Sequence, residues 1–453
     1  MATETTNSQE TAPRTLVVGL GVSGLATVRY LAARGVPLAV TDSREQPPGL
    51  EELRRELADV ALFTGGFDPQ AFAAAERLVV SPGIAISTPI IQEAQARGVE
   101  VIGDVELFLR EARAPIIAIT GSNGKSTVTT LLGEMAAAAG IRAGVGGNLG
   151  KPVLELLDDE AELYILELSS FQLETTRSLR AQAAVILNLC EDHMDRYDSF
   201  ADYVAAKHVV YHNAANAVIN LDDELAMAQA DEVTNRIGFG MHAPHGDDYG
   251  ICMHEGTEWL CKGERLLLPV SEILIAGRHN QANVLAALAL GEAAGIPLEP
   301  MLQAVRRFSG LAHRTQFVAE IDGVRWYNDS KGTNIGACIA ALEGLHTPQG
   351  LTLLIAGGDC KGADFTELKP VLPRYVRTLV LIGRDAPMIA AATGGVVETL
   401  MAKDLMDAVE QCRSHAMPGD RVLLSPACAS FDMFKNYLDR GEQFMRAVRS
   451  LQS

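Results

Sequence analysis

"IIAITGSNGKST", residues 116–127, decides how the rest of the chain is read. The run IIAIT is continuous and β-branched, as a buried parallel strand should be. Behind the glycine-rich turn, "STVTTLLGEMAAAAG", 126–140, reads as a helix stopped by Gly140. Strand, loop and helix form the setting of a phosphate-binding loop. Lys125 would reach the β- and γ-phosphates, and Ser126 or Thr127 would hold Mg²⁺. The loop is short. Four residues usually separate the first glycine from the Gly-Lys pair, and here only Ser122 and Asn123 separate Gly121 from Gly124.

A second glycine motif lies upstream, in "RTLVVGLGVSGLATVRYLAARG", 14–35. Gly19, Gly21 and Gly24 give G-x-G-x-x-G between a strand and an apolar-periodic helix. The next strand, "VPLAVTD", ends at Asp42, where an acidic residue would meet a ribose. A diphosphate on the helix N-terminus explains the glycines; so does tight strand–helix packing alone. NAD, FAD and UDP-sugars are all open as occupants. "VVSPGIA", 79–85, ends another strand on the same rim.

Downstream of the loop, strands "LYILEL", "AAVILNL" and "NAVINL" alternate with helices, which implies a mostly parallel sheet. Ligands of such sheets sit outside the carboxyl ends of strands. Glu167, Asp192, His193 and Asp195 therefore crowd toward the edge that carries the loop, an oxygen-rich set suited to Mg²⁺ or Mn²⁺. For Asp195 a cap or surface ion pair explains the residue equally well. Ser199 and Asp202 form a capping box. Lys207, further along that helix, reads from spacing alone as a solvent-facing lysine. Asn280 and Asn283 share a helical face, where they read a base or phosphate or cap the turn after Gly277. "MHAPHGDDYG", 241–250, reads as a solvated loop in preference to a metal site built on His242, His245 and Asp247.

A third strand-and-glycine unit starts near "GLAHR", 310–314. Its strands are "TLLIAGG", "TLVLIG" and "RVLLSP". His313 and Arg314 form a cationic pair, and Asp329, Ser330, Lys331 and Thr333 cluster at a strand end. Lys361 lies in the glycine-rich "GGDCKGADF", and Ser430 opens a helix whose N–H groups attract a carboxylate. The expected fold class is α/β in three domains. The N-terminal domain (1–103) is Rossmann-like, the central one (104–310) a P-loop ATPase-like, mostly parallel sheet, and the C-terminal one (311–453) Rossmann-like and doubly wound.

The 453 residues match about three domains at ~150 residues each. A formal charge of −19 and only 5% aromatics weigh against nucleic acids and anionic membranes as partners. The polar start has no apolar segment, and no apolar run reaches the ~18 residues of a membrane span. It reads as a frayed tail. Seven scattered cysteines without C-x-x-C read as reduced thiols in a cytoplasmic protein.

The motifs "TGSNGKST", "LELSSFQLE", "NLCEDHMDRY", "AAKHVVY", "GRHNQANVLAA", "WYNDSKGTN", "GGDCKGADF" and "SPACASFDMFKNYLDRG" together resemble the Mur ligase family over nearly the whole chain. The absence of a "DNPR"-type motif points to the branch that adds D-glutamate. The resemblance implies ATP-dependent joining of D-glutamate to UDP-N-acetylmuramoyl-L-alanine in cytoplasmic peptidoglycan precursor synthesis, by a monomer. It assigns UDP-substrate contacts to Val22, Ser23, Asp42, Ser43, Arg44, Gly83, Asn148 and Gln172. It assigns ATP contacts to Gly121, Ser122, Asn123, Gly124, Lys125, Ser126, Thr127, Asn280, Asn283, Arg314 and Asp329. D-glutamate contacts fall to Thr333, Lys361, Ser430, Phe431 and Tyr437. Two Mg²⁺ ions are implied, with Ser126, Glu167, His193 and Lys207 as metal-site residues. Lys207 is implied to be a carbamate, which reverses the reading from spacing, and the catalytic set becomes Lys125, Glu167, His193 and Lys207. Ser122, where the family often has threonine, and Cys360 depart from the pattern. A folylpolyglutamate synthetase-like ligase, a nucleotide-sensing protein without turnover and an NAD dehydrogenase are the competing readings.

Overall fold

The computed structural model describes residues 14–231, 233–360 and 362–452. The polar start, 1–13, read as a frayed tail, and Lys361 lie outside the described residues. By density of contacts the chain forms two compact units. The first comprises 1–120, 141–184 and 205–215; the second comprises 121–140, 185–204 and 216–453.

The first unit opens with strands β1 (Thr15–Val18), β2 (Leu38–Asp42), β3 (Ala61–Thr64), β4 (Arg77–Val80) and β5 (Glu100–Ile102). They pair in the order β3-β2-β1-β4-β5, all parallel. Strand order reverses between β1 and β4, the crevice where parallel sheets place ligands. Leu16, Val18, Leu78 and Val80 alternate onto one face and pack with Phe72 and Ile91. The helix Val22–Ala33 follows β1 directly. A Cβ on Gly24 would stand 1.9 Å from the Gly19 carbonyl oxygen, so only glycine lets this helix pack so close. The unit also holds β6 (Ile116–Thr120), β7 (Ala143–Gly147) and β8 (Leu163–Glu167), parallel, with β8 between the other two. Strands β6 and β8 are buried along their whole length, as their unbroken apolar sequence requires.

After β9 (Ala183–Ile186), the second unit contains β10 (Ala217–Asn220), β11 (Arg236–Phe239), β12 (Tyr249–His254), β13 (Thr257–Lys262) and β14 (Arg265–Pro269). β10 and β11 are parallel, whereas β12, β13 and β14 form an antiparallel meander. The sequence reading has no strands between 236 and 269 and ends its loop at residue 250. The meander turns on Glu255 and Gly256, without the usual Asn-Gly or Asp-Gly signal. Cys252 and Cys261 join β12 to β13 as a disulfide. This corrects the expectation that all seven cysteines are free: strand neighbours nine residues apart were not visible as a pair until the hairpin brought them together. The other five are free thiols.

The last sheet comprises β15 (Gln316–Ile321), β16 (Val324–Asn328), β17 (Thr352–Gly357), β18 (Val376–Ile382), β19 (Glu398–Met401) and β20 (Arg421–Leu424), in the order β15-β16-β20-β17-β18-β19. All neighbours are parallel except β15 with β16. Its two faces carry separate cores. Leu354, Leu379, Leu381 and Leu423 pack on Leu342, Phe365 and Leu372 on one side. Leu353, Ile355, Val380 and Val422 pack on Val409, Phe444 and Val448 on the other. Alternate residues of one strand thus serve opposite layers, the physical meaning of doubly wound.

Candidate active site

In the first unit a cavity of about 600 Å³ opens at the β1/β4 crevice. Val22, Ser23, Ser43, Arg44, Gly83, Asn148 and Gln172 line it, seven of the eight residues expected at a UDP substrate. Asp42 is not among the lining residues. One of its oxygens accepts from Leu20 N at 2.7 Å; both take the Arg44 guanidinium, at 2.9 and 2.7 Å. Burial alone would raise this carboxyl. The Arg44 guanidinium and the N–H groups of Leu20 and Arg44 outweigh burial and hold it below the usual carboxylate range. Asp42 thus braces the glycine turn at Leu20 and holds Arg44 in place.

The same unit brings together Thr120 and Glu167, at the ends of β6 and β8, with Asn148 beside Glu167 and Lys207 beside Thr120. Asn148 Nδ2 donates to Glu167 Oε1 at 2.8 Å. The other oxygen, Oε2, is buried and has no hydrogen-bond partner among the described residues. A buried carboxylate oxygen without a donor costs free energy unless a cation or proton meets it, so this site fits a hard divalent ion. Lys207 is only 2% exposed, and its Nζ lies 3.4 Å from Thr120 Oγ1. The solvent-facing placement read from spacing is therefore corrected. The helix Phe200–His208 turns this lysine inward, which charge and sequence position did not reveal.

In the second unit the short loop is clamped along its length. Asn123 N donates to Asn188 Oδ1 at 2.8 Å, and Asn188 Nδ2 donates to Asn123 O at 3.1 Å. Ser122 Oγ donates to Cys190 O and accepts from Cys190 N, both at 3.0 Å, and meets Tyr203 OH at 2.9 Å. Gly124 caps the helix Lys125–Ala138 in the left-handed region at φ 84°. A Cβ there would stand 2.4 Å from Asn283 Oδ1. Lys125 Nζ reaches back to the carbonyls of Gly121 and Ser122 at 2.7 and 2.9 Å. This loop is a rigid nest of N–H groups at a helix N-terminus, able to take phosphate oxygens. The two residues missing from the usual loop are made up by clamps to 188–190.

A cavity of about 480 Å³ adjoins it. Asn123, Gly124, Thr127, Asn280, Asn283, Arg314 and Asp329 line it; Gly121, Ser122, Lys125 and Ser126 do not. Arg314 Nη2 donates to Ser126 Oγ at 2.7 Å. Asn280 Nδ2 donates to Ala276 O at 2.7 Å, and its Oδ1 accepts from Asn283 Nδ2 at 3.1 Å. The amide face therefore caps its own turn and still borders the cavity. Asp329 accepts from Thr315 N at 3.0 Å and Ser425 Oγ at 2.8 Å, yet burial pushes its carboxyl up to about 6. His279, not singled out from sequence, lines the same cavity, and burial lowers its imidazole to about 4.

A further cavity of about 210 Å³ brings together Asp192, His193, Asp195, Thr333, Asp359 and Cys360. Asn334 braces it, donating to Asp192 Oδ2 at 3.1 Å and capping the helix Ile335–Gly344 through Ala337 N. His193 sits at φ 58°, partly exposed, with Nε2 3.7 Å from Asp192 Oδ2. Among the described residues expected at D-glutamate, only Thr333 lines this cavity. Ser430 is buried in a turn and does not open a helix as expected, because the helix begins only at Tyr437, capped by Asn436; Phe431 is 70% exposed, and the Tyr437 ring faces the Lys331 ammonium at 4.3 Å. Asn188, Asn334 and Tyr203 were not assigned roles from sequence. Asn188 could have been found as the polar residue ending the strand "AAVILNL".

The fold and cavities are those of an α/β protein with a phosphate-loop-like turn, and comparison with known proteins states the class. The chain belongs to the Mur ligase family: it matches the descriptions "Mur ligase MurD-like, N-terminal domain" over 13–103, "Mur ligase middle domain" over 119–291 and "Mur ligase, glutamate ligase domain" over 313–428. The UDP-N-acetylmuramoylalanine–D-glutamate ligase of Pseudomonas putida is 53% identical over 96% of this chain and 97% of its own length. The enzyme of that name from Marinobacter nauticus is 53% identical over 97% and 98%, and that from Pseudomonas aeruginosa 52% over 96% and 98%. Among solved structures, UDP-N-acetylmuramate-alanine ligase from Thermotoga maritima superposes with a TM-score of 0.59 at 18% identity, covering 97% of this chain and 99% of that one. A pseudomurein peptide ligase type C from Methanothermus fervidus gives 0.59 at 16%, covering 97% and 100%. At such identity the likeness speaks to fold alone, and it agrees with the expected three-domain α/β architecture.

Proposed function

We infer that this chain is an ATP-dependent amide ligase that joins D-glutamate to UDP-N-acetylmuramoyl-L-alanine, giving ADP and phosphate, in peptidoglycan precursor synthesis. What carries the reading is the near-full-length identity to ligases of that name, in a chain whose phosphate loop is intact and clamped. The alanyl carboxylate attacks the γ-phosphate of ATP. The resulting acyl phosphate meets the amine of D-glutamate, and a tetrahedral intermediate collapses to the amide as phosphate leaves.

Residues 1–103 hold the UDP substrate, 104–310 the ATP, and 311–453 the amino acid. Lys125, drawn off the loop carbonyls, stabilises charge spreading over the transferring phosphoryl group. The backbone N–H groups of Gly121 to Thr127 hold phosphate oxygens, and Asn280, Asn283, Arg314 and Asp329 border the nucleotide. In the first unit Glu167 Oε2 is proposed as a cation ligand, supported by its burial without a partner, with Lys207 beside it as a carbamate. In the second unit Ser126 and His193 carry the same proposal. Two Mg²⁺ ions, when bound, would neutralise phosphate charge. A buried ammonium beside such ions is costly, whereas a neutral amine that captures CO₂ becomes an anion that ligates. Ser430, Phe431, Tyr437, Thr333 and Lys361 are proposed around D-glutamate, and the enzyme is proposed to work as a cytoplasmic monomer.

Phosphate release by the purified protein tests this. It should require ATP, UDP-N-acetylmuramoyl-L-alanine and D-glutamate together. Release that continues at full rate without the UDP-sugar would contradict the reading.

A further inference from the structure

The cavity lined by Asp192, His193 and Thr333 has one wall that the ligation chemistry leaves unused. Cys360 lines it, and the sulfur of Cys360 touches that of Cys428, Sγ to Sγ 2.8 Å. Both residues are buried, at 4% and 1% exposure. Their backbones explain the contact. Asp359 and Ala429 form an isolated antiparallel bridge, exchanging N–H···O bonds of 3.0 and 2.9 Å. Cys360 and Cys428 are the next residues inward and therefore face each other as a non-hydrogen-bonded pair, whose Cα atoms lie about 4.5 Å apart in such ladders. Disulfides span Cα separations from about 4.4 Å upward, and closure to a bond of ~2.05 Å asks the sulfurs to move by only about 0.8 Å. The backbone on each side is pinned. Cys360 N donates to Asp385 Oδ2 at 2.8 Å. The buried Arg440 guanidinium, lacking a carboxylate partner among its hydrogen bonds, holds Cys428 O at 3.1 Å and Ser330 O at 2.9 Å.

We propose that Cys360 and Cys428 are a reversible dithiol–disulfide site, closed by hydroperoxide and reopened by thiol reductants, that throttles use of D-glutamate. The proposal rests on the ligase reading above, because Ser430, proposed at D-glutamate, lies two residues beyond Cys428. The chemistry balances. One sulfur attacks the O–O bond, giving a sulfenic acid and water. The second sulfur displaces the hydroxyl as a second water, so two S–H bonds are lost, one S–S bond forms and one peroxide is reduced. The bridge ties the loop after β17 to the loop after β20, and so restrains the residues on either side of the pocket. Contact with Cys360, together with burial, holds the Cys428 thiol protonated well above the ordinary thiol range. Cys428 therefore stays a thiol in the absence of oxidant. Peroxide reaches Cys360 through the cavity it shares with Thr333, so D-glutamate held at Thr333 would shield it.

The test uses the full-length protein, reduced and then exposed to hydrogen peroxide with and without D-glutamate. Free thiols are alkylated, and peptides are mapped without reduction. Expected are a linked peptide pair carrying Cys360 and Cys428, less of it when D-glutamate is present, and a rise of about tenfold in KM for D-glutamate that dithiothreitol reverses. Cys360→Ala and Cys428→Ala, each compared with its own reduced form, should show no such rise. Absence of the linked peptide would overturn the proposal. So would a linked peptide with unchanged KM, or equal loss in both variants, which would trace the effect to another thiol such as Cys190. If the reduced enzyme shows no D-glutamate-dependent turnover, the ligase reading fails and the throttle with it, while the linked peptide still decides whether the dithiol exists.

Discussion

Single side chains carry the sharpest expectations. Lys125→Ala should lower phosphate release by about a hundredfold or more, as loss of one preorganised charge at a transferring group does. Release that survives the change would mean the loop is not the catalytic one. Glu167→Gln keeps shape and the Asn148 contact but removes the charge behind the unpartnered oxygen. The Mg²⁺ concentration for half-activity should rise by about tenfold or more, read from a metal titration of initial rates. Asp329 gives a pH signature. Its carboxyl is raised to about 6 in the fold against an ordinary 3.8, so the folded protein binds the extra proton between those values. Stability should fall as pH rises through that window, by up to about 3 kcal/mol. Asp329→Asn should flatten the slope in denaturant unfolding between pH 4 and 6; an unchanged slope would remove Asp329 as its source. At this scale the sequence was legible where backbone motifs speak, as in Gly121 to Thr127. It did not show that Lys207 is buried beside Thr120, a residue 87 positions earlier in the chain.

The decisive element is the junction of β6, the loop and its helix. Its strand–loop–helix order was readable because β-branched runs, glycine and helical periodicity are local signals. Its clamp was not, because Asn188 and Cys190 belong to the following strand end. Asn188→Ala would strip Asn123 of both amide partners, leaving part-buried groups unpaired at about 1–3 kcal/mol. We expect a raised KM for ATP with a smaller change in kcat. Gly124→Ala should do worse, since positive φ and the Asn283 oxygen both oppose a side chain. Calorimetric titration with a non-hydrolysed ATP analogue would measure either loss. The antiparallel meander β12–β14 was missed for a related reason: its turn residues carry no hairpin signal, so only pairing in space defines it.

Across the whole molecule, the alternation of strands and helices announced three α/β modules, and the three sheets bear this out. The ambiguity of "GLGVSG" was chemical: dinucleotide and UDP-sugar sites use the same glycine turn. The cavity lined by Ser43, Arg44, Asn148 and Gln172 supports the UDP reading, and the full chain should bind UDP saturably while ignoring NAD. The central claim concerns the amino acid that is joined. An amino-acid panel in the ATP-dependent reaction with UDP-N-acetylmuramoyl-L-alanine tests it most directly. The account predicts phosphate release and amide product with D-glutamate far above every other amino acid; equal turnover with L-glutamate or L-alanine would contradict it.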